Sequence, residues 1–182
     1  GHVDVMMSVG NNFFYTKSLP CSIWFFDKGK ADAIQDHVLF IDARNYYTVV
    51  DRTLNEWSEW QLKNLNAIVW LYRGEKEKYA ALLDEYRRHL LHCAVELKSN
   101  DVCHAITPTT SFADILKAFE VYESEQKQRA KFDMEHVLRK DKKAQQKIWD
   151  EKLAAIVEAI TIAKEAVWLY EKFGEGEYQD IP

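Results

Sequence analysis

The sequence predicts an α+β fold in which a few strands precede a larger helical region. Two observations support this prediction: the first 50 residues contain short alternating or continuous apolar runs, and the rest repeats apolar residues at helical spacing. The chain has 182 residues, of which 47% are hydrophobic and 29% are charged, as is ordinary for a folded domain. We therefore expect strands within residues 1–50 and a helical region over residues 51–182.

The strand region contains three apolar runs. From Val3 to Val9 apolar and other residues alternate, which is typical of a strand with one buried face. Residues 23–26 and 38–41 are continuous apolar runs, which suit strands covered on both faces and are predicted to pair as a hairpin. Because so few strands cannot form an independent sheet, we expect them to be the last strands of a larger one.

Four helices are predicted, over about residues 59–73, 75–98, 112–140 and 141–173. Ser58 and Gln61 have the spacing of a capping box at the start of the first helix, and Gly74 is a plausible C′ residue after its end. Ser111 is a good N-cap for the third helix.

The fourth predicted helix carries a coiled-coil-type seam with alternating spacings of four and three. Its members are Trp149, Leu153, Ile156, Ile160, Ala163, Val167 and Tyr170. The default prediction is antiparallel packing of this seam against the second helix. The alternative is that part of the apolar surface docks on another subunit, with Ile156, Ile160, Val167 and Trp168 as the docking residues.

Charge and cysteine content exclude several classes of protein. The net charge of −5 argues against a free-standing nucleic-acid binder, which usually carries a basic surplus. Three cysteines suit a reducing cytoplasm better than a disulfide framework, and no apolar run reaches the roughly 18 residues of a membrane span. The charged block over residues 123–147 mixes acids and bases, which favours a solvated or projecting face over a DNA-contacting arm.

A zinc site is a further possibility that the residue spacing disfavours. The candidate ligands fall on one predicted helix and the loop after it, without the compact pairing that zinc sites use. We therefore expect no metal. These candidates are His89, His92, Cys93, Cys103 and His104.

Four spaced stretches carry a family resemblance. Residues 11–30, reading NNFFYTKSLPCSIWFFDKGK, combine an aromatic turn, a Thr, a Pro and an apolar strand followed by Lys. Residues 38–44 and 64–74 read VLFIDAR and NLNAIVWLYRG, and the tail 178–182 reads YQDIP. In this order they resemble the C-terminal part of the modification (DNA methyltransferase) subunit of type I restriction–modification systems.

The resemblance implies that the strands close the sheet of an α/β methyltransferase and that a mainly helical C-terminal region follows. It implies a parent enzyme that methylates N6 of adenine with S-adenosylmethionine after flipping the base. The implied partners are a specificity subunit, a second modification subunit, a restriction subunit and double-stranded DNA. Phe14 matches the residue that stacks on the flipped adenine, with Phe13 and Tyr15 as its neighbours.

Two departures from the family pattern qualify these expectations. Many members have Leu-Pro where this chain has Val9-Gly10, so the path into the aromatic turn is expected to differ. No Gly-x-Gly turn follows a strand and no Asn/Asp-Pro-Pro-Phe/Tyr motif is present, so no catalytic or cofactor-binding residue is expected here and the fragment should be inactive alone. The rival interpretation is a stand-alone helical adaptor or coiled-coil module without enzymatic role.

Overall fold

The computed structural model describes residues 1–14, 18–97, 102, 104 and 106–176. Strands lie in the first part of the chain and four long helices follow, which confirms the predicted α+β class. The described residues fall into two compact units, one up to Tyr79 and one from Ala80 onward. Within the described residues, no helix combines the length and apolarity needed to cross a bilayer.

The first unit contains a three-stranded sheet. Its strands are β1 (Val3–Val9), β2 (Cys21–Phe26) and β3 (Leu39–Ala43), in the order β2-β1-β3. β1 is antiparallel to β2 and parallel to β3. The predicted hairpin between the second and third runs is therefore wrong, because β1 lies between them. The connection contains a short 3-10 helix (Asp32–Ile34) and is long enough for the chain to cross to the other side of β1.

One face of this sheet forms the core of the first unit. The alternation of β1 directs Val5, Met7 and Val9 to that face, where each is at most 8% exposed. Leu65 of helix α1 (Glu59–Tyr72) belongs to the same buried cluster, and Ile68, Val69 and Tyr72 pack against it. The rest of the cluster comprises Leu39, Ile41 and Ala43 from β3.

The opposite face of the sheet carries an exposed apolar patch beside a polar row of Ser8, Ser22 and Asp42. Met6 lies directly opposite Trp24 on one side and Phe40 on the other, so the three side chains share a face. Trp24 is 53% exposed and Phe40 is 67% exposed. Phe26, on the outer strand β2, is also exposed. Within the described residues, nothing buries this face.

A two-stranded ribbon leads from the sheet into α1. It consists of β4 (Thr48–Val49) and β5 (Asn55–Glu56), paired antiparallel. Ser58 caps α1 and forms the predicted capping box with Gln61: each side chain bonds the other's backbone. Gly74 follows the helix with φ of +76°, which confirms its predicted place as the C′ residue.

The remaining helices are α2 (Lys76–Glu96), α3 (Phe112–His136) and α4 (Lys142–Phe173). Ser111 accepts a hydrogen bond from the Asp114 N–H and so caps α3 as predicted. The third helix ends at His136, a little before the predicted end, because Val137 adopts an extended backbone.

Helices α3 and α4 form an antiparallel hairpin. Glu120 approaches Lys164, and Lys152 donates a hydrogen bond to Gln126 at 2.7 Å, so successive contacts run in opposite directions along the two helices. The seam of α4 was expected to pack on the second helix, but its main partner is α3. The short connection explains this, since it folds α4 directly back along the preceding helix.

Candidate functional site

The aromatic turn follows the carboxyl end of β1. It starts at Gly10, and Asn12 adopts a left-handed backbone with φ of 61°, a conformation that Asn tolerates better than most residues. The turn is held from β5: the Asn55 backbone N–H donates to the Asn12 carbonyl at 2.8 Å and Asn55 Nδ2 donates to the Asn11 carbonyl at 2.9 Å. Asn55 is buried, so water competes little for these bonds.

Gly10 allows this turn to approach the segment after β3. A Cβ atom placed on Gly10 would lie 2.5 Å from the Arg44 carbonyl oxygen, well inside van der Waals contact. Only glycine fits such an approach without displacing backbone. This contact gives a physical reason for glycine at position 10, where the resemblance led us to expect proline.

Phe13 and Phe14 have different environments within this turn. Phe13 is half-buried, with its ring centroid 4.6 Å from that of Trp57 and 5.9 Å from that of Tyr47. Trp57 is itself held by a 2.7 Å hydrogen bond from its indole N–H to the Tyr46 carbonyl. Phe14 is 50% exposed. Phe13 therefore anchors the turn, while Phe14 offers a ring surface to the outside.

Tyr15, the third predicted stacking residue, lies outside the described residues. Asn55 was not singled out from the sequence, although its side chain holds the turn. It stands 44 residues from Asn11, and a lone Asn before a helix gives no local sign of such a contact. Only a search for buried amides facing a turn could have found it.

Arg44 and Asp42 form an exposed ion pair after β3. The Arg44 guanidinium donates from Nε to Asp42 Oδ1 at 2.8 Å and from Nη2 to Asp42 Oδ2 at 2.6 Å. These hydrogen bonds lower the pKa of Asp42 to about 2, and they raise the pKa of Arg44. The pair thus stays charged at neutral pH, and the guanidinium is already occupied by a bidentate carboxylate.

The turn has the position and shape of a ring-binding surface. In open α/β sheets, ligands bind beyond the carboxyl ends of the strands, and β1 and β3 are parallel neighbours that share such an end. Phe14 presents a flat apolar ring there, and Gly10 and Asn55 constrain its backbone. Such a ring can stack on a planar base, but the described turn contains no group that could transfer a methyl group.

The residues predicted to dock a partner lie on α4. Ile156 and Ile160 are 0% and 6% exposed, so they are buried within the second unit. Val167 and Trp168 are half-buried.

The candidate zinc ligands do not converge in the described part of the chain. There, no group of three or more His, Cys, Asp or Glu side chains is placed to hold a metal ion. His92 approaches Glu96 at 3.3 Å on the surface of α2. Burial, followed by the negative charges of Glu158 and Glu96, raises the pKa of the Cys93 thiol to about 11. Cys103 lies outside the described residues.

Comparisons with known proteins find similarity over the first part of the chain. A family model described as N-6 DNA methylase matches residues 1–88. A stretch of 52 residues is 42% identical to the type I restriction enzyme MjaIX methylase subunit of Methanocaldococcus jannaschii. That match covers 29% of this chain and only 9% of the relative's length. No solved structure matches the chain. Residues 1–88 are therefore similar to N-6 DNA methylases, as their resemblance to type I modification subunits predicted.

Proposed function

We propose that this chain is the C-terminal part of the modification subunit of a type I restriction–modification system. The parent enzyme would transfer a methyl group from S-adenosylmethionine to N6 of adenine in double-stranded DNA. It would work in the cytoplasm with a specificity subunit, a second modification subunit and a restriction subunit. The family match of residues 1–88 and the type I methylase relative support this proposal.

The uncovered sheet face favours this proposal over a stand-alone helical adaptor. An independent module would leave Trp24, Met6 and Phe40 in water, although large exposed apolar patches usually mark an interaction surface. Among the described strands, β2 and β3 lie at the edges of the sheet, where another strand can pair. We infer that residues 1–50 complete a larger methyltransferase sheet, and that residues 51–182 form the helical region attached to it.

The observation that carries the proposed role is the contrast between Phe13 and Phe14. A flipped adenine loses its stacking partners and is stabilised by an aromatic ring in the enzyme. Phe14 is half exposed on a turn whose backbone is held by Asn55 and whose start packs against Arg44. We infer that Phe14 stacks on the target adenine and that Phe13 fixes the turn from the core side.

The chemistry must come from elsewhere in the parent. Donor-binding and catalytic motifs are absent from the sequence. The donor, when bound to the parent, supplies the methyl group. The contribution of this chain is to orient the base and to shield one face of it from water. We accordingly expect the chain alone to lack methyltransferase activity.

The helical region is proposed to dock the specificity subunit. Ile156 and Ile160 are buried, so they would support the docking face from inside the helix packing. Val167 and Trp168 are half-buried and would contribute the accessible part of that face. Helix-on-helix packing of this kind needs an apolar stripe on each partner.

The role of Phe14 is tested in the reconstituted modification complex by methyl transfer to duplex DNA. Phe14→Ala should lower transfer by at least about 10-fold, because a stacked base is worth roughly 1–3 kcal/mol. Binding of S-adenosylmethionine, measured by calorimetry, should be unchanged. Phe14→Tyr is the matched control, since it keeps the ring and should retain most activity, whereas Phe14→Leu keeps only apolarity and should not.

Base flipping gives a second readout in the same complex. With 2-aminopurine in place of the target adenine, the fluorescence of the extruded base should differ between the wild-type enzyme and Phe14→Ala. Unchanged turnover and unchanged fluorescence in Phe14→Ala would remove Phe14 from the adenine site. A complex that transfers no methyl group to any DNA would refute the proposed function itself.

A further inference from the structure

Basic residues are concentrated in one stretch of this acidic chain. Residues 127–147 contain eight Lys and Arg but only three Asp and Glu. The rest of the chain contains 16 Lys and Arg and 26 Asp and Glu. In the structure this stretch comprises the end of α3, the connection 137–141 and the start of α4. We call it the hairpin tip; it is the closed end of the antiparallel pair.

Most cations of the hairpin tip lack a counter-charge. Lys127 pairs with Glu123 at 2.8 Å and Lys147 pairs with Glu151 at 3.7 Å, and both acids lie outside the tip. Among the residues that the structure describes, the other six cations make no ion pair, and all six are exposed. They are Arg129, Lys131, Arg139, Lys140, Lys142 and Lys143.

Helix stability does not account for two of these cations. Lys142 and Lys143 occupy the first turn of α4, where the positive end of the helix dipole disfavours cations by about 0.3–1 kcal/mol each. That turn contains no acidic residue, and the N-cap Asp141 makes no side-chain capping bond. Such conflicts between local sequence and local structure are typical of functional surfaces.

A groove lies beside the cations on the hairpin. Its volume is about 470 Å³, and Arg129, Gln128 and Lys152 contribute donors to its wall. Asp133 contributes a carboxylate to the same wall. The remaining lining residues are Gln126, Phe132 and Trp149. The hairpin tip thus joins exposed point charges to a concave surface with a surplus of donors.

We propose that the hairpin tip binds the sugar–phosphate backbone of duplex DNA, although the mixed charges of residues 123–147 favoured a solvated face when only the sequence was considered. Exposed cations without counter-charges are the surface that phosphate neutralisation requires, and release of condensed counterions then favours binding. The choice of DNA as the polyanion rests on the proposed function, in which the parent acts on duplex DNA. Contacts to phosphates would position the DNA without reading its sequence.

The test compares two variants of the full 182-residue chain that carry the same change in net charge. Each replaces four exposed cations of the second unit with Gln, so a difference between them reports location and not total charge. The tip variant combines Arg139→Gln, Lys140→Gln, Lys142→Gln and Lys143→Gln. The control variant combines Arg88→Gln, Lys117→Gln, Lys164→Gln and Lys172→Gln. Circular dichroism melts establish that both variants fold.

Binding is measured by fluorescence anisotropy with a labelled duplex of about 30 base pairs over a series of KCl concentrations. Each phosphate contact contributes about −0.9 to the slope of log K against log salt, so the tip variant should lose about 3–4 from this slope. Its affinity at about 0.1 M salt should fall at least about 10-fold. The control variant should keep the wild-type slope and bind within about two-fold of the wild-type affinity.

Three outcomes would overturn the proposal. They are equal losses in both variants, wild-type binding by the tip variant, and no detectable DNA binding by the wild-type chain at low salt. A tip variant that binds DNA normally but no longer binds the specificity subunit would assign the surface to an acidic protein partner instead. Because the anisotropy assay needs no methyl transfer, its failure is separate from failure of the proposed function.

Discussion

The ion pair between Asp4 and Arg73 ties the amino end of β1 to the end of α1. An Arg73 nitrogen donates to Asp4 Oδ2, and this bond raises the pKa of Arg73. Asp4 is 1% exposed, and within the described residues its second carboxylate oxygen, Oδ1, has no hydrogen-bond partner. The Arg73 side chain is 38% exposed. The Asp4 carboxylate is therefore buried and depends on Arg73 for its counter-charge, whereas the Arg73 guanidinium still reaches water.

This asymmetry predicts unequal effects of the two neutralising substitutions. Removing one partner of a fully buried pair costs about 3–5 kcal/mol, because a buried charge is left unpaired. Water can reach the side from which Arg73 approaches. Arg73→Gln should therefore lower the free energy of unfolding by about 2–3 kcal/mol, at or below the lower limit for a fully buried pair. Asp4→Asn leaves a guanidinium that is already partly hydrated, so it should cost only about 1 kcal/mol.

Thermal unfolding of the chain, followed by circular dichroism, checks this order. For a unit of this size, a loss of 1 kcal/mol in the free energy of unfolding lowers the melting temperature by about 4–8 °C. Arg73→Gln should therefore lower the melting temperature of the first unit by roughly 10–20 °C. The double variant should resemble Asp4→Asn alone, because no orphaned charge remains. Arg52→Gln, at an exposed position in the same unit, is the matched control and should change little. Equal losses from Asp4→Asn and Arg73→Gln would refute the reasoning.

Two further predictions concern the second unit. Ile160→Lys places a charge at a position 6% exposed and should destabilise the chain by at least about 3 kcal/mol in urea unfolding, whereas Val157→Lys, 46% exposed on the same helix, should stay within about 0.5 kcal/mol. If Ile160→Lys instead folds normally and only loses the specificity subunit in a pull-down, Ile160 is a docking residue. The Cys93 thiol, with its pKa near 11, should be alkylated at pH 8 about 100-fold more slowly than a thiol of pKa near 9, because its thiolate fraction is lower by that factor. Mass spectrometry of the labelled peptide measures this rate, which should rise tenfold per pH unit until about pH 11; a plateau at pH 9 would contradict the raised pKa.

Local signals in the sequence were sufficient for the features that depend on neighbouring residues. The Ser58–Gln61 capping box, the Ser111 cap and the Gly74 stop were all readable from spacing, because each is closed within a few residues. The α+β class followed from apolar periodicity for the same reason. The aromatic turn was also recognisable, since its residues are contiguous and resemble a family segment.

Strand order could not be predicted in the same way. Residues 23–26 and 38–41 have the composition of a hairpin, but strand pairing depends on which neighbour buries more surface and not on proximity in the chain. β1 takes the central position, and its buried face of Val5, Met7 and Val9 shares a core cluster with β3 and α1. Similarly, the seam of α4 specified an apolar stripe but not its partner.

The sequence by itself determined that an aromatic pair follows the first strand and that residues 1–88 resemble DNA methylases. Only the tertiary structure separated the two rings, burying Phe13 against Trp57 and leaving Phe14 exposed on a turn held by Asn55. It alone placed the cation-rich stretch 127–147 at the closed end of a helical hairpin. The reason is physical: periodicity, capping and local charge content are set within a few residues, whereas burial and the pairing of helices depend on contacts between segments far apart in the chain.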